Sequence, residues 1–255
     1  MNRMTKACYL TLVYIFLYLP IAIVIWFSFN DSVHSLLWHG FTLHWYHVLF
    51  HDSALADVTL HSLTIGILAA TTASMLGAIA AISLFRYRFL GRNMLNGLLF
   101  TLIIVPDIVI GISLLLLFRF FNVSLGFWTL LLAHITFCIP FVFVTIMARI
   151  SVLDKNIIEA ARDLGAKEHT IFLRILIPLL WPALVTGWLL SFTLSLDDVI
   201  ISYFVTGPNF EILPLKIYSM VRLGVNPEIN ALCTALLGVT LIIVLSSQLL
   251  LRKKQ

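Results

Sequence analysis

Residues 151–178 read SVLDKNIIEAARDLGAKEHTIFLRILIP, and this stretch decides the fold. It is a hydrophilic island in a chain otherwise built of apolar runs, too small to fold alone, so it needs a partner. Ser151 and Asp154 offer N-caps, Glu159 and Asp163 lie one turn apart on one face, and Gly165 ends a first short helix. A second is expected from about Lys167 to Ile175, with Pro178 as its stop.

Working outward from the island, apolar runs of about 20 residues, enough to cross about 30 Å of hydrocarbon as a helix, fall at about 7–29, 60–85, 95–118, 126–148, 179–204 and 231–251. With 61% hydrophobic and 11% charged residues the chain has too little polar surface for a soluble globule. The expected fold is an all-α integral membrane domain over residues 1–255, with six spans. The first run follows Arg3 and Lys6 as a secretion signal would. It is too long for a signal core, lacks a small-x-small cleavage site and carries Pro20, so it reads as a span.

Orientation follows from the basic residues. Arg3, Lys6, Arg86, Arg88, Arg92, Arg149, Lys155, Arg162, Lys167, Arg174, Arg252, Lys253 and Lys254 fall on one side, and only Arg119, Lys216 and Arg222 on the other. Both termini and the 149–178 loop are therefore expected in the cytoplasm. The net charge of +4 reflects this topology and gives no argument for nucleic acid. Cys8, Cys138 and Cys233 are scattered through apolar runs without metal-ligand spacing and read as packing residues. On the outer side, a Gly207-Pro208 turn precedes a short amphipathic helix over about 213–224.

Three acids lie within the spans: Asp107, just after Pro106, and the Asp197-Asp198 pair. A carboxylate at membrane depth costs on the order of 2.5–3.5 kcal/mol, so each needs a partner cation, a water-filled cavity or a proton. On a continuous helix Ser191, Ser195, Asp198 and Ser202 share one face, a polar stripe with no reason to meet lipid. Pro106 removes a backbone donor and can open its helix beside Asp107. At 1.5 Å rise per residue the Asp107 and Asp197 levels differ by roughly 9 Å, which would suit an elongated substrate with separated positive charges. The alternative is that the acids pair with basic residues of a neighbouring subunit. Trp45 and Tyr46 are ordinary interfacial anchors, or an aromatic face for alkylammonium groups. His44, His47 and His51 could share a face, but no carboxylate cluster supports a metal site, and none is expected.

On the island, Ala160, Ala161 and Gly165 leave a helical face of little bulk, flanked by Glu159, Arg162, Asp163, Lys167 and Glu168. Such a face suits docking into a cleft of another protein, although solvated charges on a surface helix would look the same. The spacing Glu-Ala-Ala, three residues, Gly, nine residues, Ile-x-x-Pro resembles the cytoplasmic coupling motif of ABC-type importer permeases, with Ile177 where that family usually has Leu. The resemblance implies that Glu159, Ala160, Ala161, Gly165 and Glu168 couple the spans to a separate ATP-hydrolysing subunit. No Gly-x-x-x-x-Gly-Lys-Ser/Thr loop occurs in the 255 residues, so any ATP and Mg would be held by that partner.

Phe41–Tyr46, Val105–Val109, His134–Phe141, Ser191–Asp198, Thr206–Pro208 and Glu211–Tyr218 narrow the resemblance to the second permease subunits of spermidine/putrescine ABC importers. It implies no enzymatic activity and no cofactor of its own. The implied partners are a second permease subunit, an ATP-binding subunit dimer, a periplasmic polyamine-binding protein and membrane lipid, in a bacterial inner membrane. The acids, the polar stripe and the aromatic face described above make Asp107, Asp197, Asp198, Ser195 and Trp45 the expected pathway residues, in agreement with a polyamine's separated ammonium groups. An intramembrane aspartyl protease also needs two buried Asp, but its Tyr-Asp and Gly-x-Gly-Asp contexts are absent. A channel or secondary carrier would not need the coupling island.

Overall fold

The computed structural model describes residues 3–32, 37–154, 156–224 and 227–252, with side chains up to residue 241. Lys155, Lys253 and Lys254, used above for orientation, lie outside the described residues. The helices are α1 (Arg3–Phe27), α2 (His44–His51), α3 (Ser53–Arg86), α4 (Arg92–Ile104), α5 (Asp107–Phe120), α6 (Phe127–Ser151), α7 (Asn156–Asp163) and α8 (Glu168–Thr170). A π-helical turn (Ile171–Leu176) leads into α9 (Ile177–Asp197), followed by α10 (Ile200–Val205), α11 (Leu213–Leu223) and α12 (Pro227–Arg252). No strand forms among the described residues beyond two isolated bridges.

The chain divides into two compact units, one of Met1–Asp57 with Lys216–Gln255, the other Val58–Leu215. In the first, α12 packs against α1 and α2. The polar knot there centres on buried Asn30, whose side chain donates to the Leu37 carbonyl at 2.9 Å and accepts the His39 amide at 2.8 Å. In the second unit α6 is the central helix, packed on α4, α9 and α10. Leu130, Ala133, Val142, Phe143 and Ile146 of α6 are wholly enclosed. That enclosure explains why its sequence is apolar all round rather than amphipathic.

Among the described residues four helices are long and apolar enough to cross a membrane: Met4–Phe27, Ser53–Arg86, Phe127–Ser151 and Glu168–Asp197. The expected third span is broken: α4 and α5 meet at 116° at Val105-Pro106, and together they would make a fifth. The expected fifth span does not run unbroken to 204 either, because its helix stops at Asp197 and restarts at Ile200. Pro178 does not end a short helix. Glu168–Asp197 is one continuous 30-residue helix, because the π-helical turn before Pro178 widens the backbone where proline lacks an N–H and its ring crowds the preceding turn.

Candidate functional site

Both helix breaks in the second unit place a carboxyl at the start of a new helix. At the first, Val105 (φ −68°, ψ 130°) and Pro106 (φ −59°, ψ 140°) are extended, and Asp107 is the first residue of α5. At the second, Asp198 (φ −70°, ψ 119°) leaves the helical region after Asp197. The Asp198 carboxyl then caps α10: Oδ1 accepts the Ile201 amide at 3.1 Å, while Oδ2 accepts the Ser202 amide at 2.8 Å and its hydroxyl at 2.7 Å. Sequence reading placed Asp198 and Ser202 on one face of an unbroken helix; the carboxyl instead replaces the backbone acceptors that the break removes.

Helices α5 and α10 lie side by side and point the same way. Gly111 permits the approach, since a Cβ there would sit 2.8 Å from the Phe204 ring and 3.3 Å from Ile201 Cα. Past their C-terminal ends, Gly207 rests on the Leu125-Gly126 backbone. At their N-terminal ends Asp107 and Asp198 are close enough for their charges to interact. Asp107 is half-buried, Asp197 exposed and Asp198 8% exposed, and among the described residues neither Asp107 nor Asp197 forms an ion pair with Lys or Arg.

His134, which sequence reading quoted only within the His134–Phe141 stretch and gave no role, is the hub of the second break. Only 1% exposed, it sits in α6 with Nδ1 2.7 Å from Ser195 Oγ and Nε2 2.8 Å from Ser202 Oγ. Its Nε2 also lies 3.6 Å from Asp198 Oδ2. Ser195 and Ser202 are thus brought together with Asp198 by a histidine more than 60 residues away. Ser191, the fourth member of the expected stripe, is buried, and its hydroxyl has no hydrogen-bond partner among the described residues. Trp45 belongs to the first unit, where its indole N–H donates to the Asn30 carbonyl at 2.9 Å. In the same unit the His47 and His51 rings stack at 4.1 Å. A cavity of about 670 Å³ between α3 and α9 is lined by Thr71, Met75, Trp181, Trp188 and other neutral side chains, so it offers a polycation no counter-charge.

The loop that follows α6 keeps its first expected helix and loses one expected cap. Ser151 is the last turn of α6, its hydroxyl bonded to the Ala148 carbonyl, while Asp154 Oδ1 accepts the Asn156 amide at 2.9 Å. Helix α7 ends in a Schellman closure: the Ala166 amide bonds to Ala161 O at 3.0 Å and the Gly165 amide to Arg162 O at 2.8 Å, with Gly165 at φ +78°. The small residues are divided by this geometry. Ala161 packs into the core of its own unit, whereas Glu159, Ala160 and Gly165 face outward with Leu164, which is 88% exposed and was not singled out from sequence.

Glu168 ties this loop to a span. Its Oε2 accepts from Arg86, at the end of α3, and its Oε1 from Arg162 in α7 at 3.1 Å. The Arg86 side chain is 6% exposed and the Glu168 side chain 58%. Glu168→Gln therefore leaves an enclosed guanidinium without its counter-charge. With half of the pair in solvent the expected loss is about 1 kcal/mol, a fall of a few degrees in the thermal midpoint of the purified protein. An unchanged midpoint would show that the pair carries no stability.

Comparison with known proteins places this geometry. Residues 73–254 match the family described as binding-protein-dependent transport system inner membrane component. The chain is 50% identical over 253 residues, 99% of its length and 96% of the relative's, to the spermidine/putrescine transport system permease protein PotC of Escherichia coli K12. It is 45% identical over 237 residues, covering 90% and 84%, to the putrescine transport system permease protein PotI of the same strain. Among solved structures it resembles the inward-facing MetNI methionine ABC transporter (TM-score 0.63, 16% identity, 76% of this chain and 92% of that one). An amino acid ABC transporter solved with histidines gives a TM-score of 0.61 at 17% identity, over 84% and 100%. At these identities the two structures speak for the fold.

Proposed function

We propose, from the premise that the chain belongs to the family of binding-protein-dependent transport system inner membrane components, that it is a permease subunit of an ATP-driven polyamine importer. The observation that carries this reading is the placement of Asp107 and Asp198 at the adjacent starts of α5 and α10, with Asp197 exposed beside them and no basic side chain paired to Asp107 or Asp197 among the described residues. Unneutralised carboxyls in an apolar protein attract a cation, and a polyamine carries several separated ammonium groups. The names of the relatives, spermidine/putrescine and putrescine permeases, support the same substrate class.

In this reading the chain crosses a bacterial inner membrane six times with both termini in the cytoplasm, α4–α5 and α9–α10 being broken spans. It pairs with a second permease subunit. An ATP-binding subunit dimer, holding ATP and Mg, docks on the 149–178 loop, where Glu159, Ala160, Leu164 and Gly165 face outward while Ala161 and Glu168 tie the loop to the spans. A periplasmic polyamine-binding protein delivers substrate from the other side. ATP binding closes the ATPase pair, the loop moves with it, the pathway opens outward, and hydrolysis resets it. Trp45 adds an aromatic face for ammonium groups on the outer side.

Labelled spermidine uptake by the assembled complex tests this. Asp107→Asn and Asp197→Asn are each expected to lower uptake by about tenfold or more, with subunit assembly and basal ATP hydrolysis unchanged. Uptake at the normal rate in both variants would remove these acids from the pathway and leave them an assembly role. Unlabelled putrescine should compete; competition by neutral solutes and not by amines would shift the substrate to another class, and uptake without ATP would indicate a channel or secondary carrier.

A further inference from the structure

We infer that His134 is the positioning residue of the α9–α10 break: its ring, neutral and protonated on Nε2, holds Ser202 so that the Asp198 carboxyl stays locked on the first turn of α10. This rests on the reading of the chain as a transport subunit.

Donor counting sets the ring's state. Asp198 Oδ2 takes the single hydroxyl proton of Ser202 at 2.7 Å, so Ser202 has none to give His134 and must accept from Nε2 at 2.8 Å. Nδ1 then carries the ring's lone pair and accepts the hydroxyl proton of Ser195 at 2.7 Å. The protons run one way, Ser195 to His134 to Ser202 to Asp198, and every donor has one acceptor. A doubly protonated ring would strand the Ser195 hydroxyl proton, because Ser195, 3% exposed, makes no other side-chain hydrogen bond among the described residues. An Nδ1–H ring would oppose the Nε2 lone pair to the Ser202 oxygen.

The two breaks differ in what enforces them. Pro106 compels the first through its missing donor and its ring. The second runs Leu196-Asp197-Asp198-Val199, with neither proline nor glycine, and nothing in those backbones forbids continuing the helix. What holds it open is side chains: the Asp198 carboxyl on the Ile201 and Ser202 amides, and the Ser195–His134–Ser202 bridge from the last turn of α9 to the first turn of α10. Without the Nε2 donor the break loses the strut anchored in α6, and the direction in which Asp197 projects is no longer fixed.

The test compares wild type, His134→Gln and His134→Asn in the full complex, in proteoliposomes, with labelled spermidine uptake and ATP hydrolysis measured together. A glutamine amide reaches the Nε2 position and can donate to Ser202. An asparagine amide reaches only the Nδ1 position and can meet only Ser195. The inference expects His134→Gln within about threefold of wild-type uptake and His134→Asn lower than His134→Gln by about fivefold or more, at equal subunit content and ATP hydrolysis. Equal losses, or Asn outperforming Gln, overturn it, since a role in bulk or general polarity would not separate the two amides.

The ring state is read independently on the wild-type complex by ¹⁵N NMR. Ala133-His134 is the single Ala-His pair in the sequence, so paired labelling assigns it. Protonated Nε2 with bare Nδ1 supports the inference; an imidazolium or an Nδ1–H ring overturns it, whether or not the variants assemble. Absence of spermidine uptake in wild type would count against the transport reading alone, and the NMR result would still decide the state of His134.

Discussion

Gly207→Ala is expected to leave almost no assembled complex in the membrane. The Cβ it adds would lie 2.7 Å from the Leu125 carbonyl carbon and 2.9 Å from Gly126 Cα. Both are backbone atoms, so no side-chain rotation relieves the overlap. The segment they belong to is itself fastened: the Gly126 amide donates to Thr129 Oγ1 at 2.8 Å, and Thr129 Oγ1 donates to the Val205 carbonyl at 2.8 Å, closing a ring through the end of α10. To admit a methyl group, either the start of α6 or the end of α10 must move. Overpacking of this kind costs about 3 kcal/mol or more, a large part of a stability of about 5–15 kcal/mol. The amount of chain recovered in detergent-stable complex should fall to about a tenth of wild type or less. Gly97→Ala in α4 is the control: nothing lies within 4 Å of its Cβ, and alanine is the better helix former. Equal recovery of the two variants would show that the contact at Gly207 is loose.

Gly165→Val is expected to abolish coupling while leaving the chain folded. Here space is free, with no atom within 4 Å of a Cβ, but the backbone sits at φ +78°. A left-handed residue bearing a Cβ costs about 1–2 kcal/mol, and a β-branched one more. The cheapest escape is to leave that region, which breaks the Schellman closure and turns Glu159, Ala160 and Leu164 away from their shared outward face. Spermidine uptake should drop by about tenfold or more, with normal subunit content and ATP hydrolysis that no longer responds to loaded binding protein. Gly165→Asn should keep at least about half of the activity, since asparagine visits the left-handed region readily. Valine performing as well as asparagine would show that the turn's conformation is irrelevant to coupling.

The helices themselves were legible because hydrophobic length is a strong signal: the run expected at 60–85 falls within α3, and those expected at 7–29 and 126–148 overrun the ends of α1 and α6 by no more than two residues. The break at Pro106 was legible for the same kind of reason, a local chemical one. The break after Asp197 was not: the Asp198 carboxyl that caps the amides three and four residues on has the same spacing as a stripe on an unbroken helix, and the histidine from α6 that completes the break is a tertiary contact. His134 did leave a trace. It is an ionisable residue in the middle of an apolar run, and the reasoning that marked the three acids applies to it equally. Pro178 misled because a proline reads as a stop, whereas a π-helical turn before it lets the helix continue. The division of Ala160 from Ala161 follows from which side of α7 meets its own core, a fact of packing that a motif of two identical residues cannot encode.

That continuity gives Glu168–Asp197 the mechanics of a beam. Thirty residues at 1.5 Å each make a rod about 45 Å long, clamped near one end by the Arg86 and Arg162 guanidinium groups and ending at the other in Asp197. A rotation of about 10° around its midpoint displaces each tip by about 4 Å, roughly the span of one hydrogen bond and its neighbour. On the proposed reading, a small stroke at the 149–178 loop would thereby reach the carboxyl at the far break through one continuous helix, its π-helical turn included.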